Sequence, residues 1–253
     1  MWRLPPRPEL TTPKAPDRLS PAHLLLAGLG IWVAAHIGGA VVLATIGATP
    51  ADASPSLRDT TFALLGMYAA AALMLVVIVL RWPAVRAQTG LLVARRDPLI
   101  AFGWLALAMP ILLTLGVVLR ALVSALQGTP PDATAHETLA ALQRENDSTW
   151  RLGVIVLVSV GAPIVEEIIF RGFIQSSIRA AAGATASGAW IAVGMTSIVF
   201  TLIHMGEVAW YALPVLTCLS AFLGAAFERS GRLGVPIVMH GLFNILQLAY
   251  SLT

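Results

Sequence analysis

Apolar residues in this chain come in long runs rather than as stripes along otherwise polar segments. Residues 24–46, 61–80, 99–126, 151–178, 186–204, 208–227 and 234–252 are each long and apolar enough to cross a bilayer. The pattern predicts an all-α fold, a polytopic transmembrane helical bundle of about seven to eight spans, the eighth arising if Pro214 breaks the sixth run. Trp82 and Pro83 close the second run at the interface, where aromatic rings are favoured, and Pro110 can kink the third. Gly161 and Pro163 interrupt the fourth, which predicts a bent helix whose freed carbonyls face protein or water. At a rise of about 1.5 Å per residue, a fifth helix that starts at Ala186 carries His204 towards its outer end. A deep His204 then requires an earlier start, a tilt, or residues 204–214 folding back into the bundle.

Composition agrees with the runs: 57% of the 253 residues are hydrophobic and 11% charged, and the mean hydropathy is +0.81. Residues 1–21 hold six prolines with Arg3, Arg7, Lys14 and Arg18, which predicts a disordered, basic cytoplasmic tail. Its length before the first run favours a retained anchor over a cleaved signal peptide. Arg81, Arg86, Arg95, Arg96, Arg179, Arg229 and Arg232 fall on the same side as that tail, so the positive-inside bias puts the N-terminus in the cytoplasm. The loop 127–149 is the acidic counterpart. Residues 22–149 are expected to supply N-terminal transmembrane segments and loops, and 150–253 a catalytic core within the same membrane domain. No basic groove with interleaved aromatics supports nucleic-acid binding, and the apolar runs make the lipid bilayer the expected partner. Nothing in the sequence sets an oligomeric state. Cys218, the sole cysteine, excludes an internal disulfide and reads as a small buried hydrophobe.

Against this apolar background the polar residues inside the runs carry the information. A charge at membrane depth costs roughly 2.5–3.5 kcal/mol on insertion scales, so it faces a partner or a cavity. Glu167 and Arg171 stand four apart on one helix face and can pair, while Glu166 points about 100° away and stays free. His204 ends the fifth run, with Phe200 one turn earlier. His240 and Asn244 lie four apart on the last. Each feature alone also fits helix–helix packing; together they bring acidic, imidazole and amide groups from three spans. His23, His36 and His136 lack acidic companions at depth and are set aside.

Hydrolysis of an amide in a shielded cavity needs a base to activate water and donors for the developing oxyanion. Glu166 suits the base, His204 the orientation of water, and His240 with Asn244 the oxyanion. The same residues permit a zinc site with Glu166, His204 and His240 as ligands, although the compact HExxH pattern is missing. Direct glutamate and histidine activation is taken first, with zinc kept as the alternative. No GxSxG elbow, companion-bearing cysteine or central aspartate dyad supports another protease chemistry.

EEIIFR at 166–171, FTLIH at 200–204 and HGLFN at 240–244 stand in the order of the EExxxR, FxxxH and HxxxN motifs. In these the chain resembles the CPBP family of intramembrane proteases, which includes CAAX prenyl endopeptidases and the bacterial Abi or bacteriocin-processing proteins. The resemblance covers about residues 150–250. It implies a helical membrane bundle with a conical cavity, Glu166 and His204 as water-activating residues, His240 and Asn244 as oxyanion donors, and Glu167, Arg171 and Phe200 as supporting groups. Members are commonly called metalloproteases, while direct glutamate catalysis is implied for the eukaryotic enzymes. Richness in proline, alanine and arginine is of a bacterial kind, which points to a bacterial cytoplasmic (inner) membrane. The rival readings are a proton-coupled transporter using Glu166, Glu167 and Arg171, and a non-catalytic scaffold or bacteriocin immunity protein.

Overall fold

A computed structural model describes residues 18–48, 56–131 and 137–251. The first 17 residues of the proline-rich tail, the centre of the loop between the first two runs, His136 and the last two residues lie outside them. Helices are α1 (Pro21–Thr45), α2 (Leu57–Arg81), α3 (Val85–Gln88), α4 (Asp97–Gln127), α5 (Glu137–Arg144), α6 (Ser148–Val156), α7 (Ala162–Glu167), α8 (Ser176–Ala182), α9 (Ala186–Ile203), α10 (Leu213–Ser230) and α11 (Gly234–Ser251). Two π-helical stretches, Leu157–Gly161 and Ile168–Gln175, join α6, α7 and α8 into one rod, Ser148–Ala182, and a 3₁₀ turn, Trp210–Ala212, leads into α10.

Helix ends follow from local chemistry. Ser20, Ser56, Asp147 and Thr185 sit at N-caps, where their side-chain oxygens accept from backbone N–H groups of the first turn. Gly128 and Gly231 end α4 and α10 in the left-handed conformation that glycine adopts without a Cβ penalty. Pro214 does not break a span, correcting the eight-span variant. It occupies the first turn of α10, where a missing N–H leaves no hydrogen bond unmade. Pro110 lies inside α4, which remains one 31-residue helix.

Among the described residues six helical segments are long and apolar enough to cross a membrane, rather than the expected seven to eight: α1, α2, α4, Ser148–Ala182, α9 and Trp210–Ser230. The seventh run does form a helix, α11, but His240, Asn244 and Gln247 lower its hydropathy, and it packs against α4, α7, α10 and the first π stretch. The fold is thus an all-α polytopic bundle. Its outer faces expose Leu26, Ile37, Leu73, Leu113 and Val117, residues that water would disfavour and lipid accepts.

The long segments alternate in direction. At one end the start of α1 meets the loop after α2, where the Gln88 amide exchanges hydrogen bonds with the Leu19 backbone at 2.9 and 3.0 Å. The α10–α11 turn lies there too, with Arg232 donating twice to Asp97 at 2.7 and 3.0 Å. Arg179 and Arg232, counted from sequence on the side of the basic tail, are paired within the bundle: Arg179 is buried against Glu228 and Arg232 meets a fully buried Asp97. The far end gathers the C-terminus of α11 and α5, where Gln143 donates to the Ser251 carbonyl.

Two apolar clusters flank the rod Ser148–Ala182. One joins α1 and α2 to Ile169, Phe170, Phe173, Ile174 and Phe200; the other joins α4, α10 and α11 through Leu105, Leu112, Leu223, Val235 and Met239. Phe200 belongs to the first and Met239 to the second, so the polar residues of the sequence reading fall where the two meet. Close approach of α1 to α2 depends on glycine, because a Cβ on Gly38 would lie 2.5 Å from both Ala70 Cβ and the Gly66 carbonyl. Gly38→Ala is therefore expected to destabilise by about 1–3 kcal/mol, read as a lower unfolding midpoint in detergent. Gly103→Ala, with nothing within 4 Å, leaves the midpoint unchanged.

Candidate active site

The rod Ser148–Ala182 supplies both carboxylates, and its two π stretches bracket them. A π turn carries an extra residue, widens the helix and leaves backbone groups for outside partners, a device found often at functional sites. Pro163 has no N–H to return to the preceding turn. The freed carbonyls expected from sequence do face protein: Asn244 Nδ2 donates to the Val158 carbonyl at 2.9 Å, and the Tyr68 hydroxyl to that of Leu157 at 3.4 Å. Gly161 makes room for Tyr68, since a Cβ there would stand 2.7 Å from the ring's Cδ2.

Glu167 is fully buried and holds two partners on one oxygen. Its Oε1 lies 3.1 Å from Arg171 NH1 and 2.9 Å from His240 Nδ1. Arg171, also fully buried, donates from NH2 to the Ser220 hydroxyl at 2.9 Å and to its carbonyl at 3.2 Å, and its guanidinium carbon stands 4.8 Å from the Phe200 ring centre. A buried ion pair persists only when further hydrogen bonds and ring contacts offset the loss of water, and these supply them.

Glu166 differs from its neighbour. Its side chain is 27% exposed, and its Oε2 is 4.0 Å from His240 Nε2. That gap is too wide for a hydrogen bond and wide enough for one water to touch both groups. An ion-paired carboxylate accepts, so His240 carries its proton on Nδ1 towards Glu167, and Nε2 is the atom that faces Glu166.

His204 stands just beyond the last residue of α9, which begins at Ala186 behind its Thr185 cap, as the sequence boundary had it. The imidazole turns back along its own helix: Nδ1 donates to the Phe200 carbonyl at 2.7 Å, which in the neutral ring makes Nε2 the acceptor. Phe200 is the hub of this arrangement. Its ring lies 4.6 Å from that of His204, 6.2 Å from that of His240 and 5.0 Å, edge to face, from that of Phe170. Glu167 thus touches Arg171 and His240, Arg171 lies over Phe200, Glu166 stands 4.0 Å from His240, and His204 packs on Phe200. Asn244 is one turn further along α11, with one amide proton committed to Val158 and the second available.

The donor set does not fit the zinc alternative in this arrangement. Among the described residues no group of three histidine, cysteine, aspartate or glutamate side chains is placed to hold a metal ion. His240 is turned towards Glu167, and the His204 ring packs 4.6 Å from that of Phe200.

Sequence reasoning missed three buried polar residues of this region. Gln175 donates from Nε2 to Glu228 Oε1 at 2.9 Å and to the Gly224 carbonyl at 3.1 Å, while Arg179 Nε meets Glu228 Oε2 at 3.2 Å. The signal was present in the four-residue spacing of Glu167, Arg171, Gln175 and Arg179, matched by Ser220, Gly224 and Glu228 on α10.

Removing one member of the central pair leaves a buried charge. Arg171→Met is expected to destabilise by about 3–5 kcal/mol, and adding Glu167→Gln to recover part of that loss, both read from thermal unfolding in detergent.

Comparison with known proteins bears on residues 148–246, which match the model of the family described as Type II CAAX prenyl endopeptidase Rce1-like. The chain is also 30% identical over 104 residues to UPF0177 protein YbdI of Lactococcus lactis subsp. lactis (strain IL1403), a match covering 41% of this chain and 51% of that protein. It therefore spans about half the length of the curated relative it matches. No solved structure matches the chain. The segment that bears both carboxylates, both deep histidines and Asn244 is similar, at the level of the family, to the CAAX prenyl endopeptidases.

Proposed function

We propose that the protein is an intramembrane endopeptidase that hydrolyses a peptide bond of a membrane-associated protein or peptide, with Glu166 activating the water. The observation that carries this reading is the environment of the adjacent carboxylates: Glu167 is locked between Arg171 and His240, while Glu166 is partly exposed and faces His240 across 4.0 Å. The family match over residues 148–246 supports the reaction class. We assign residues 150–253 to the catalytic core and residues 22–149 to its support in the membrane, and place the end bearing Arg81, Arg86, Arg95 and Arg96 in the cytoplasm.

In this mechanism a water between Glu166 and the two imidazoles gives its proton to Glu166, and its oxygen attacks the scissile carbonyl carbon. His204 Nε2, unprotonated by virtue of its bond to the Phe200 carbonyl, accepts the water's other hydrogen and aims the lone pair. The carbonyl oxygen becomes an oxyanion and takes hydrogen bonds from Asn244, through its uncommitted amide proton, and from His240, which Glu167 holds in place. The carbon–nitrogen bond then breaks, and Glu166 returns its proton to the leaving amine. Glu167 and Arg171 hold His240 in place without touching substrate.

A scaffold or a transporter would use the same bundle without cleaving a peptide, so the test measures cleavage. Wild type and Glu166→Gln, purified in detergent with matched unfolding midpoints, are compared on a library of membrane peptides in liposomes. Glu166→Gln is expected to lower turnover by roughly 10²–10⁴-fold, the usual contribution of a general base. Equal cleavage by both would remove Glu166 as the base, and no cleavage by wild type would favour a non-catalytic role. The water-activation scheme also expects turnover to survive exhaustive chelation. Loss of activity on chelation with recovery on adding zinc would replace it with a metal-bound water.

A further inference from the structure

The residues Glu167, Arg171, Gln175 and Arg179 follow one another at four-residue spacing along the rod Ser148–Ala182, and each is buried. Facing them on α10 at the same spacing are Ser220, Gly224 and Glu228, which accept from Arg171, from Gln175, and from Gln175 and Arg179 respectively. The strip starts at the candidate site and covers the thirteen residues from Glu167 to Arg179. It ends one turn from Gly183, at the end of the bundle where Arg232 meets Asp97.

This strip is under-bonded. Among the described residues seven buried side-chain polar atoms lack a hydrogen bond, and five of them lie on it: Glu167 Oε2, Arg171 Nε and NH1, Gln175 Oε1 and Arg179 NH2. Arg171 NH1 is within ion-pair distance of Glu167 Oε1 but is not in hydrogen-bonding geometry. An unmade hydrogen bond on a buried polar atom is costly, more so for charged groups, so five in a row amount to a strong demand for partners. Internal water meets such a demand where the surroundings are polar and several acceptors and donors converge. Gly224 lets Gln175 lie close against α10 at the midpoint of the strip, since a Cβ there would stand 2.8 Å from Gln175 Oε1.

We propose that this strip is a file of internal water molecules connecting the candidate site to the Arg232–Asp97 end of the bundle, through which the site draws its water. The hydration stands on the unbonded atoms alone; the delivery of water rests on the hydrolytic reading above. Gln175 is the gate of the file and acts as a positioning residue, because its carboxamide is the uncharged step between two arginines and touches neither Glu166 nor the imidazoles.

Two measurements test this. In bilayers, water-edited solid-state NMR of wild type is expected to show magnetisation passing from water to the Arg171 and Arg179 guanidinium groups and the Gln175 carboxamide as fast as to the exposed Arg86. Transfer as slow as to Phe173 in the dry core would overturn the proposal. Gln175→Leu, which removes the polar step at similar volume, is expected to slow the transfer to Arg171 and to lower kcat severalfold at unchanged KM, the pattern of a step after binding. Should that variant fail to fold, Gly224→Ala, which crowds Gln175, serves in its place. Fast transfer in wild type with kcat unaffected by either variant would overturn the delivery role. Fast transfer in a wild type that cleaves nothing would leave the water file standing and remove the hydrolytic reading instead.

Discussion

A single oxygen, Oε1 of Glu167, receives both the guanidinium of Arg171 and the imidazole of His240, and the site is organised by that shared contact. A carboxylate buried among leucines and phenylalanines is tolerated only with its counter-charge beside it. Glu167 thereby fixes the rod to itself through Arg171 and to the last helix through His240. Arg171 extends the link to α10 through Ser220 and to α9 through the face of Phe200. Four helical segments are thus brought to one point by a group that performs no chemistry in the proposed reaction. Its neighbour in sequence, Glu166, turns about 100° away and is left with the partial exposure a base needs to meet water.

Much of this was legible in the chain. Runs of apolar residues gave the helices and their approximate ends, because in lipid the backbone has no partner but itself and every long apolar run becomes a helix. The pairing of Glu167 with Arg171 followed from four-residue spacing, and the approach of His240 to the carboxylates from the scarcity of other polar groups at depth. What the sequence could not give was the orientation of particular side chains. The His204 ring folds back on Phe200, and one donor of Asn244 is committed to a carbonyl that a π turn set free, and both depend on backbone detail that composition does not encode. The span count failed for a related reason: the groups proposed to make α11 functional are the ones that lower its hydropathy.

Arginines gave the other lesson. Counting Arg179 and Arg232 as loop cations treats position near a helix end as exposure, yet both find carboxylates inside the bundle, and Arg179 is almost wholly buried. Charge near a membrane surface therefore does two jobs here. Arg86, Arg95 and Arg96 remain exposed and bear on orientation, whereas the buried arginines tie helix ends together.

The turn before α11 shows how the two halves of the chain depend on each other. The first N–H groups of a helix have no partner within it. Here the Leu233 and Gly234 amides at the start of α11 donate to the carbonyls of Gly90 and Leu92, and Arg232 just before them grips Asp97, all from the loop that precedes α4. Gly90, at φ +64°, can approach this turn only without a side chain, since a Cβ would stand 2.8 Å from the Gly231 carbonyl. The helix that carries His240 and Asn244 is therefore capped by the part of the chain outside the family match. A fragment cut to residues 148–246 would keep the motifs while leaving these amides and an arginine unanswered, so the recognisable segment and the folding unit do not share a boundary.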